Sequence, residues 1–427
     1  MNTNENKTNK KTITDQDLAN AFGGHNQESE KPKGKPVASQ KTTGKKQFII
    51  FTVVGCIGLV AGIAMLVSGL MMKPGTRSGE QYPDLGEKGG LEASYSPLTG
   101  EQLADSASAD SPTFCVQTPN GTDGARPQAG LNTAGVIFEA IAEAGITRFA
   151  AIYQNPSSAI IGPVRSLRIY YLQWDTPFDC TIVHAGGSGD ALAAVSSGYR
   201  DLTEDYAYMY RGTYGSRLWN NLFTTSSYLK KFNADHGYNT SNVKGFARMT
   251  PEESNRAKID SLAVEKLVIT KAAEGNTAEL KPAVSSVSLH LGGWNDFNVN
   301  YQYDAGSNKY LRSYANGSAH EVYSCPSEDL GERNPEDVCQ LVQMAPSVVV
   351  ALVVNERRAS DNYHEDIDVT GLGDAYIFQN GTATKATWKK ASKDDQISFV
   401  DGDGAEIKLA PGQTFVTAVP SYGSIDF

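Results

Sequence analysis

The sequence predicts an α+β protein: one N-terminal transmembrane helix, then an α/β domain with a helix-covered sheet, then a mainly β domain. Three observations predict it. Residues 48–72 form an apolar run without a charge. Strand and helix patterns alternate over residues 112–229. From residue 284 to the end, short β-like runs alternate with turn residues.

Charge divides the chain unevenly. Residues 1–47 carry 9 lysines and 5 acidic residues, whereas the whole chain of 427 residues has a net charge of −10. The part after residue 47 is therefore acidic, and we expect no nucleic-acid partner, because such proteins use basic surfaces to neutralise phosphates. Residues 1–47 are also too polar to fold alone, which predicts a disordered tail.

The run at residues 48–72 has 25 residues, and about 20 suffice to cross a bilayer. Lysines cluster just before it, while only Lys73 and Arg77 follow closely. By the positive-inside rule the tail is cytoplasmic and the body extracellular. Cys56, in Val-Val-Gly-Cys, offers lipidation as an alternative anchor. The apolar stretch after Cys56 is longer than the one before it, which favours an uncleaved span.

After the membrane segment, residues 73–111 are rich in Gly, Ser and acidic residues and predict a flexible stalk. In the α/β domain, 112–229, strands are predicted at 113–117, 146–154 and 178–184. Apolar residues at helical spacing, with Gly145 and Gly198 as stops, predict helices at 134–144, 164–175 and 190–197.

Residues 230–283 are interpreted as a connecting segment with one helix around 251–272. The mainly β domain, 284–427, is marked by turn signals such as Asn380-Gly381 and Pro411-Gly412. Its predicted strands are 298–303, 310–314, 348–355, 375–378, 383–388, 396–400, 405–409 and 414–419.

Four cysteines follow the membrane segment, in an expected oxidising compartment. Cys325 and Cys339 enclose a short polar loop and are predicted to form a disulfide. Cys115 and Cys180 lie in predicted strands and can pair if those strands are neighbours. The alternative is four buried free thiols.

Anion binding is suggested by the motif Arg165-Ser166-Leu167-Arg168 in the first turn of a predicted helix. Cations there face the positive end of the helix dipole, which an anion would compensate. The alternative is internal pairing of Arg165 and Arg168 with the carboxylates of Glu139 and Glu143.

A second candidate is the strand–loop–helix junction that carries His184, Gly186, Gly187 and Ser188. Ligands bind at such junctions in α/β sheets, and the glycines would let backbone amides approach an anion. His184 suits acid–base chemistry, but a structural role is the alternative. The six histidines show no metal-ligand spacing, so no metal and no cofactor are predicted. In the second domain, Arg312 and His320 form the basic pair of interest.

Several blocks of sequence resemble the YerB-like family of bacterial envelope lipoproteins, which has an N-terminal and a C-terminal domain of unknown function. The first domain's blocks are ARPQAGLNTAGVIFEAIAEAGITRFAAIYQN, IGPVRSLRIYY and IVHAGGSGDAL, and the second domain's include VNYQYDAGSNKYLRSYANGSAHEV and VVVALVVNE. The resemblance covers about residues 95–427 and implies an extracytoplasmic, membrane-attached protein without an assigned reaction. Arg126 and Arg148 lie in the matching blocks and join the candidate ligand residues.

These observations favour a binding protein over an enzyme. The leading hypothesis is a cell-envelope protein that binds an anionic or glycan ligand of the wall through Arg165, Arg168 and the loop from His184 to Ser188. The first alternative is a wall-polymer hydrolase that uses His184 with Glu139 or Glu143. The second is a non-catalytic scaffold for wall-synthesis enzymes, with envelope proteins as partners.

Overall fold

The structure, a computed structural model, describes residues 94–213, 220–273 and 284–427. Its first part contains seven strands: β1 Thr113–Pro119, β2 Val136–Glu143, β3 Ile146–Gln154, β4 Cys180–His184, β5 Arg200–Thr203, β6 Tyr210–Arg211 and β7 Leu222–Phe223. Four helices accompany and follow them: α1 Ile169–Asp175, α2 Gly189–Val195, α3 Ser226–His236 and α4 Pro251–Ala273.

The remaining part is built mainly from strands. They are β8 Ser286–His290, β9 Val299–Asp304, β10 Lys309–Tyr314, β11 Glu321–Ser324, β12 Gln340–Gln343, β13 Val348–Val354, β14 Glu356–Arg358, β15 Glu365–Ile367, β16 Gly371–Gln379, β17 Thr382–Lys390, β18 Ser398–Val400, β19 Thr414–Pro420 and β20 Ser424–Asp426. A one-turn helix, α5 Pro335–Val338, precedes β12. The α+β class, with mostly strands and few helices, is confirmed.

One ten-stranded mixed sheet runs through the molecule in the order β18-β17-β16-β13-β19-β2-β3-β1-β4-β5. Strands from both predicted domains therefore share one sheet, and they join where β19 pairs in parallel with β2. A four-stranded sheet, β10-β9-β8-β20, packs nearby through its apolar residues. The predicted domain boundaries stay a prediction.

The prediction of a helix over 134–144 is wrong, because this segment contains the central strand β2. The residues from Val136 to Ala142 are all buried, because both faces of β2 are covered. Phe138 packs on one face with Trp174 of α1, with ring centroids 5.2 Å apart, and Ile137 packs on the other. A strand buried on both faces reads as a continuous apolar run, so apolar spacing alone did not distinguish it from a helix.

Two further predicted elements need correction. The helix predicted over 164–175 begins only at Ile169, because the residues before it pair as extended chain: Leu167 bridges Gly187, and the Arg165 amide donates to the Gln117 carbonyl. Residues 405–409 form only isolated bridges, at Glu406 and Leu409, rather than a strand. The hairpin predicted at Asn380-Gly381 is present between β16 and β17, with φ values of 53° and 71° that suit its tight turn.

Both predicted disulfides, Cys115–Cys180 and Cys325–Cys339, are present. The first joins the neighbouring parallel strands β1 and β4, which is the condition that the pairing required. The second closes the loop that contains α5.

The predicted stalk is packed in its described part, since Leu98 is 1% exposed and belongs to the main core. The tail at 1–47, the transmembrane segment at 48–72 with Cys56, and residues 73–93 of the stalk lie outside the described residues. Within the ranges that the structure describes, no helix is both long and apolar enough to cross a membrane.

Candidate functional site

Glu143, at the end of β2, neutralises two of the predicted ligand arginines. Its two carboxylate oxygens accept from Arg148 Nη2 at 2.6 Å and from Arg168 Nη2 at 2.7 Å. Arg148 also donates to the carbonyl of Ser166. Burial alone would raise the pKa of Glu143, but the positive charges of Arg148 and Arg168 hold it below its usual range. For Arg168, internal pairing is therefore the alternative that the structure supports.

Arg165 differs from its two neighbours. Its side chain is half-buried, and its guanidinium has no hydrogen-bond or ion-pair partner among the described residues. Burial and the nearby charge of Arg148 lower its pKa. Of the arginines in this motif, Arg165 is the one whose charge is not used by the fold.

The loop from His184 to Ser188 is pinned by its own contacts. His184 is fully buried, and its ring nitrogens contact the Gly186 carbonyl at 2.7 Å and Asp201 Oδ1 at 2.8 Å. The amides of Ala185 and Ser188 donate to the carbonyls of Arg165 and Leu167. Two amides of this loop are thus occupied, and neither ring nitrogen of His184 is available to a substrate.

Glu139 and Arg312 form the centre of a buried polar network. Arg312 Nη2 donates to Glu139 Oε2 at 2.8 Å, and neither side chain has any exposure. The carboxylate of Glu139 also accepts from Thr147, Asn120 and Thr417. This saturation leaves Glu139 no route to a substrate, and the hydrolase hypothesis gains no support from it or from His184.

His320 and Arg126 extend the same network. Arg312 Nη1 donates to His320 Nδ1, so the other nitrogen, Nε2, carries the proton that is donated to Gln128 Oε1 at 3.2 Å. Burial first, and then the charge of Arg312, keep the pKa of His320 well below its usual value. Arg126 lies 3.8 Å from the centre of the Tyr314 ring. Arg312, His320 and Arg126, all predicted to bind a ligand, therefore make contacts within the protein instead.

A cleft that the sequence analysis did not identify lies beside the end of β2. It has a volume of about 690 Å³ and is bordered by the exposed rings of Trp294 and Tyr422. Its walls also carry Glu356 and Glu365, from the two strands of the β14–β15 hairpin. Aromatic faces and carboxylates thus meet in one concave surface.

Hydrogen bonds position both rings. Trp294 Nε1 donates to the Ala144 carbonyl at 2.7 Å, and the Tyr422 hydroxyl donates to Glu356 Oε1 at 2.8 Å. Two glycines make room for the rings: a Cβ on Gly145 would lie 2.7 Å from Trp294 Cδ1, and one on Gly292 would lie 2.4 Å from Tyr422 Cε2. Both glycines also have positive φ, so other residues would be strained there.

The two carboxyl groups of the cleft are nearly sealed from solvent, with Glu356 8% and Glu365 9% exposed. Burial raises the pKa of Glu356 to about 7, with a smaller contribution from the charge of Glu365. Burial also raises the pKa of Glu365, while Arg358, 3.6 Å away, opposes that effect. Glu356 ends the block VVVALVVNE, but nothing in the linear sequence shows that Trp294 and Tyr422 flank it.

A second cavity, of about 460 Å³, lies on the other side of Glu365. It brings together Arg168 and Ser188 from the predicted ligand set. Four acidic side chains share its lining: Asp190, Asp361, Glu365 and Asp366. Because Arg168 is already paired with Glu143, this cavity is acidic rather than suited to an anion. Among the described residues, no three or more His, Cys, Asp or Glu side chains are placed so that they could hold a metal ion together.

Together, the shared mixed sheet, the two disulfides and the open cleft define a disulfide-bonded α+β protein with a concave surface at the join between its two parts. Two family models match this chain: the "Protein of unknown function (DUF3048) N-terminal domain" at residues 98–239 and the corresponding C-terminal domain at residues 288–416. The chain belongs to this YerB-like family, and the predicted family resemblance is confirmed.

The Bacillus subtilis protein YerB is similar to this chain in both sequence and fold. YerB, a candidate lipoprotein of Bacillus subtilis (strain 168), is 27% identical over 328 residues, which cover 76% of this chain and 86% of that protein. The crystal structure of the Bacillus subtilis YerB protein superposes with a TM-score of 0.59 at 24% identity and covers 78% of this chain and 99% of that one. At this identity the structural match establishes the fold.

Proposed function

We propose that this chain is a membrane-anchored protein of the bacterial cell envelope, and that it binds wall glycan in the cleft between Trp294 and Tyr422. The observation that carries the proposal is the pairing of two exposed, hydrogen-bonded aromatic rings with two buried carboxyl groups in one cleft. No reaction is part of the proposal.

The chemistry of a sugar suits this cleft. The apolar C–H faces of a pyranose ring pack on aromatic faces, and its hydroxyl groups donate to carboxylates and backbone carbonyls. Trp294 is 66% and Tyr422 59% exposed, so both rings present area to a ligand. Both rings are already held in place before the ligand arrives, so binding loses less side-chain entropy.

Separate observations support an anchored body on the extracytoplasmic side of the membrane. The uncharged run at 48–72 is long enough to serve as an anchor, and lipidation at Cys56 would attach the body to the same side. The name of the relative YerB describes a candidate lipoprotein. Two disulfides suit an extracytoplasmic, oxidising compartment.

Co-sedimentation of the full-length protein, in detergent, with purified insoluble cell-wall glycan tests this function. We expect the wild-type protein to sediment with the glycan. Trp294→Ala should weaken binding at least tenfold, which is typical for an aromatic anchor at the centre of an interface.

Tyr206→Ala is a matched control for Tyr422→Ala, because the two tyrosines are 58% and 59% exposed and each makes a side-chain hydrogen bond. Only the Tyr422 variant should lose binding. Equal binding by the wild type and both cleft variants would rule out the cleft, and no sedimentation of the wild type would rule out glycan binding.

A further inference from the structure

We propose that the cleft selects glycans that carry a free amino group, and that Glu356 and Glu365 bind this group as an ammonium. The inference rests on the proposed function and specifies the class of glycan. A partly de-N-acetylated amino sugar is the simplest ligand of this kind.

Unmatched acceptors carry the argument. Glu356 Oε1 accepts from Tyr422, but Glu356 Oε2 is buried and has no hydrogen-bond partner among the described residues. The carboxylate of Glu365 makes no hydrogen bond within the described ranges, and its nearest cation, Arg358, is 3.6 Å away. Buried polar atoms in folded proteins are normally hydrogen-bonded, so Glu356 Oε2 calls for a donor, and Glu365 beside it has room for a closer cation than Arg358.

An ammonium supplies what the cleft lacks. It brings three donors and one positive charge, whereas a hydroxyl brings one donor and no charge. Register places Glu356 opposite Ile367 and Arg358 opposite Glu365, so the two glutamates are diagonal neighbours on one face of the hairpin. The backbones of such neighbours are about 7 to 8 Å apart, close enough for the carboxyl groups at the ends of two glutamate side chains to converge on one ammonium.

Aromatic rings strengthen this preference. Trp294 and Tyr422 border the same cleft, and the faces of such rings attract cations. The other cation in the lining, Arg357, is already paired with Asp366 and Asp368 at 2.6 and 2.8 Å. A ligand ammonium would therefore displace Arg358, rather than Arg357, from its place beside Glu365.

Calorimetric titration of the full-length protein in detergent, with a glucosamine trisaccharide and with its N-acetylated counterpart at near-neutral pH, tests the inference. We expect the wild type to bind the free amine about tenfold more tightly, because hydrogen bonds to charged groups are stronger than neutral ones. Glu365→Gln and Glu356→Gln should bind the two trisaccharides equally. Glu321→Gln, which removes an exposed carboxylate outside the cleft lining, should keep the preference.

Each result has a distinct meaning. Far-UV circular dichroism identical to that of the wild type shows that the glutamine variants are folded, so that equal binding of the two sugars by these variants reports a loss of amine recognition. Equal binding of both sugars by the wild type, or an unchanged preference in both cleft variants, overturns the amine inference and leaves glycan binding intact. If the wild type binds neither sugar, the proposed function fails as well.

Discussion

Arg312 on β10 and Glu139 on β2 form an ion pair of 2.8 Å in which neither side chain touches solvent. The pair connects the four-stranded sheet to the ten-stranded sheet, and each partner comes from a different one of the two family-matched ranges. Ring faces of Phe415 and Tyr314 enclose the guanidinium. The two parts of the chain therefore share one buried polar interior.

Breaking this pair should destabilise the whole fold. Glu139→Gln leaves Arg312 buried without its counter-charge, and we expect a loss of about 3 to 5 kcal/mol in the free energy of unfolding, measured by urea denaturation. Lys385→Ala, which removes an exposed pair with Asp374, is the control and should cost less than about 1 kcal/mol. Similar costs for the two variants would contradict a structural role for the buried pair.

The two disulfides should contribute unequally. Cys115–Cys180 spans 65 positions of sequence and Cys325–Cys339 spans 14. The longer loop gives up more entropy in the unfolded chain, so replacing Cys115 and Cys180 by serine should cost about 1 kcal/mol more than replacing the other pair. Urea denaturation of the two double variants measures the difference, and the reverse order would contradict the entropic account.

The sequence predicted many elements but not where their side chains would point. β3 and β10 were predicted to within a residue at each end, because their flanking turns were clear. The central strand β2 was predicted as a helix, since burial on both faces removed the alternation that marks a strand. The arginine motif was located and Glu143 was named as a possible partner, but the sequence did not show that Glu143 pairs with Arg148 and Arg168 and leaves Arg165 out.

The cleft could not be predicted for a related reason. Trp294, the β14–β15 hairpin with its two glutamates, and Tyr422 are far apart in sequence and are brought together by separate turns and strands. A sequence signal existed in Gly292-Gly293-Trp294 and in the last residue of VVVALVVNE, but each is unremarkable alone.

The arginines around Glu143 should differ in their effects on stability. Arg168→Met leaves Glu143 with one cation instead of two, and we expect a cost of about 2 kcal/mol or more. Arg165→Met removes a side chain without a described partner and should change stability by less than about 0.5 kcal/mol. Urea midpoints of the two variants decide the matter, and a larger loss for Arg165→Met would contradict the assignment.

Glu356 should make stability depend on pH. Its pKa is raised by burial from 4.5 to about 7 in the folded protein, so its contribution is full below about pH 4.5 and is lost as the pH rises through 7. Relative to Glu356→Gln, the wild type should lose roughly 3 kcal/mol between pH 4.5 and pH 8. Parallel curves of unfolding free energy against pH for the two proteins would contradict the shift.

The affinity for the amine should also depend on the ionisation of Glu356, but it should rise with pH, whereas the stability falls. Glu356 must lose its proton to attract an ammonium, so affinity for the glucosamine trisaccharide should rise several-fold between pH 5 and pH 6.5, where the amine of the ligand still carries its proton. The charged or titratable groups that face the two glutamates are Tyr422, Arg357, Arg358, Asp361, His364 and Glu143. Glu356→Gln keeps all of them and should flatten the rise, whereas a rise that persists in this variant would assign it to another group.

If the ligand lies in the cleft rather than at the arginine motif, loss of Trp294 should weaken binding and loss of Arg165 should not. The most direct test is the dissociation constant of the full-length protein for the N-acetylated trisaccharide, compared between Trp294→Ala and Arg165→Ala. We expect at least a tenfold loss of affinity for Trp294→Ala and no change for Arg165→Ala. A loss confined to Arg165→Ala would contradict this expectation and would place the ligand at the arginine motif.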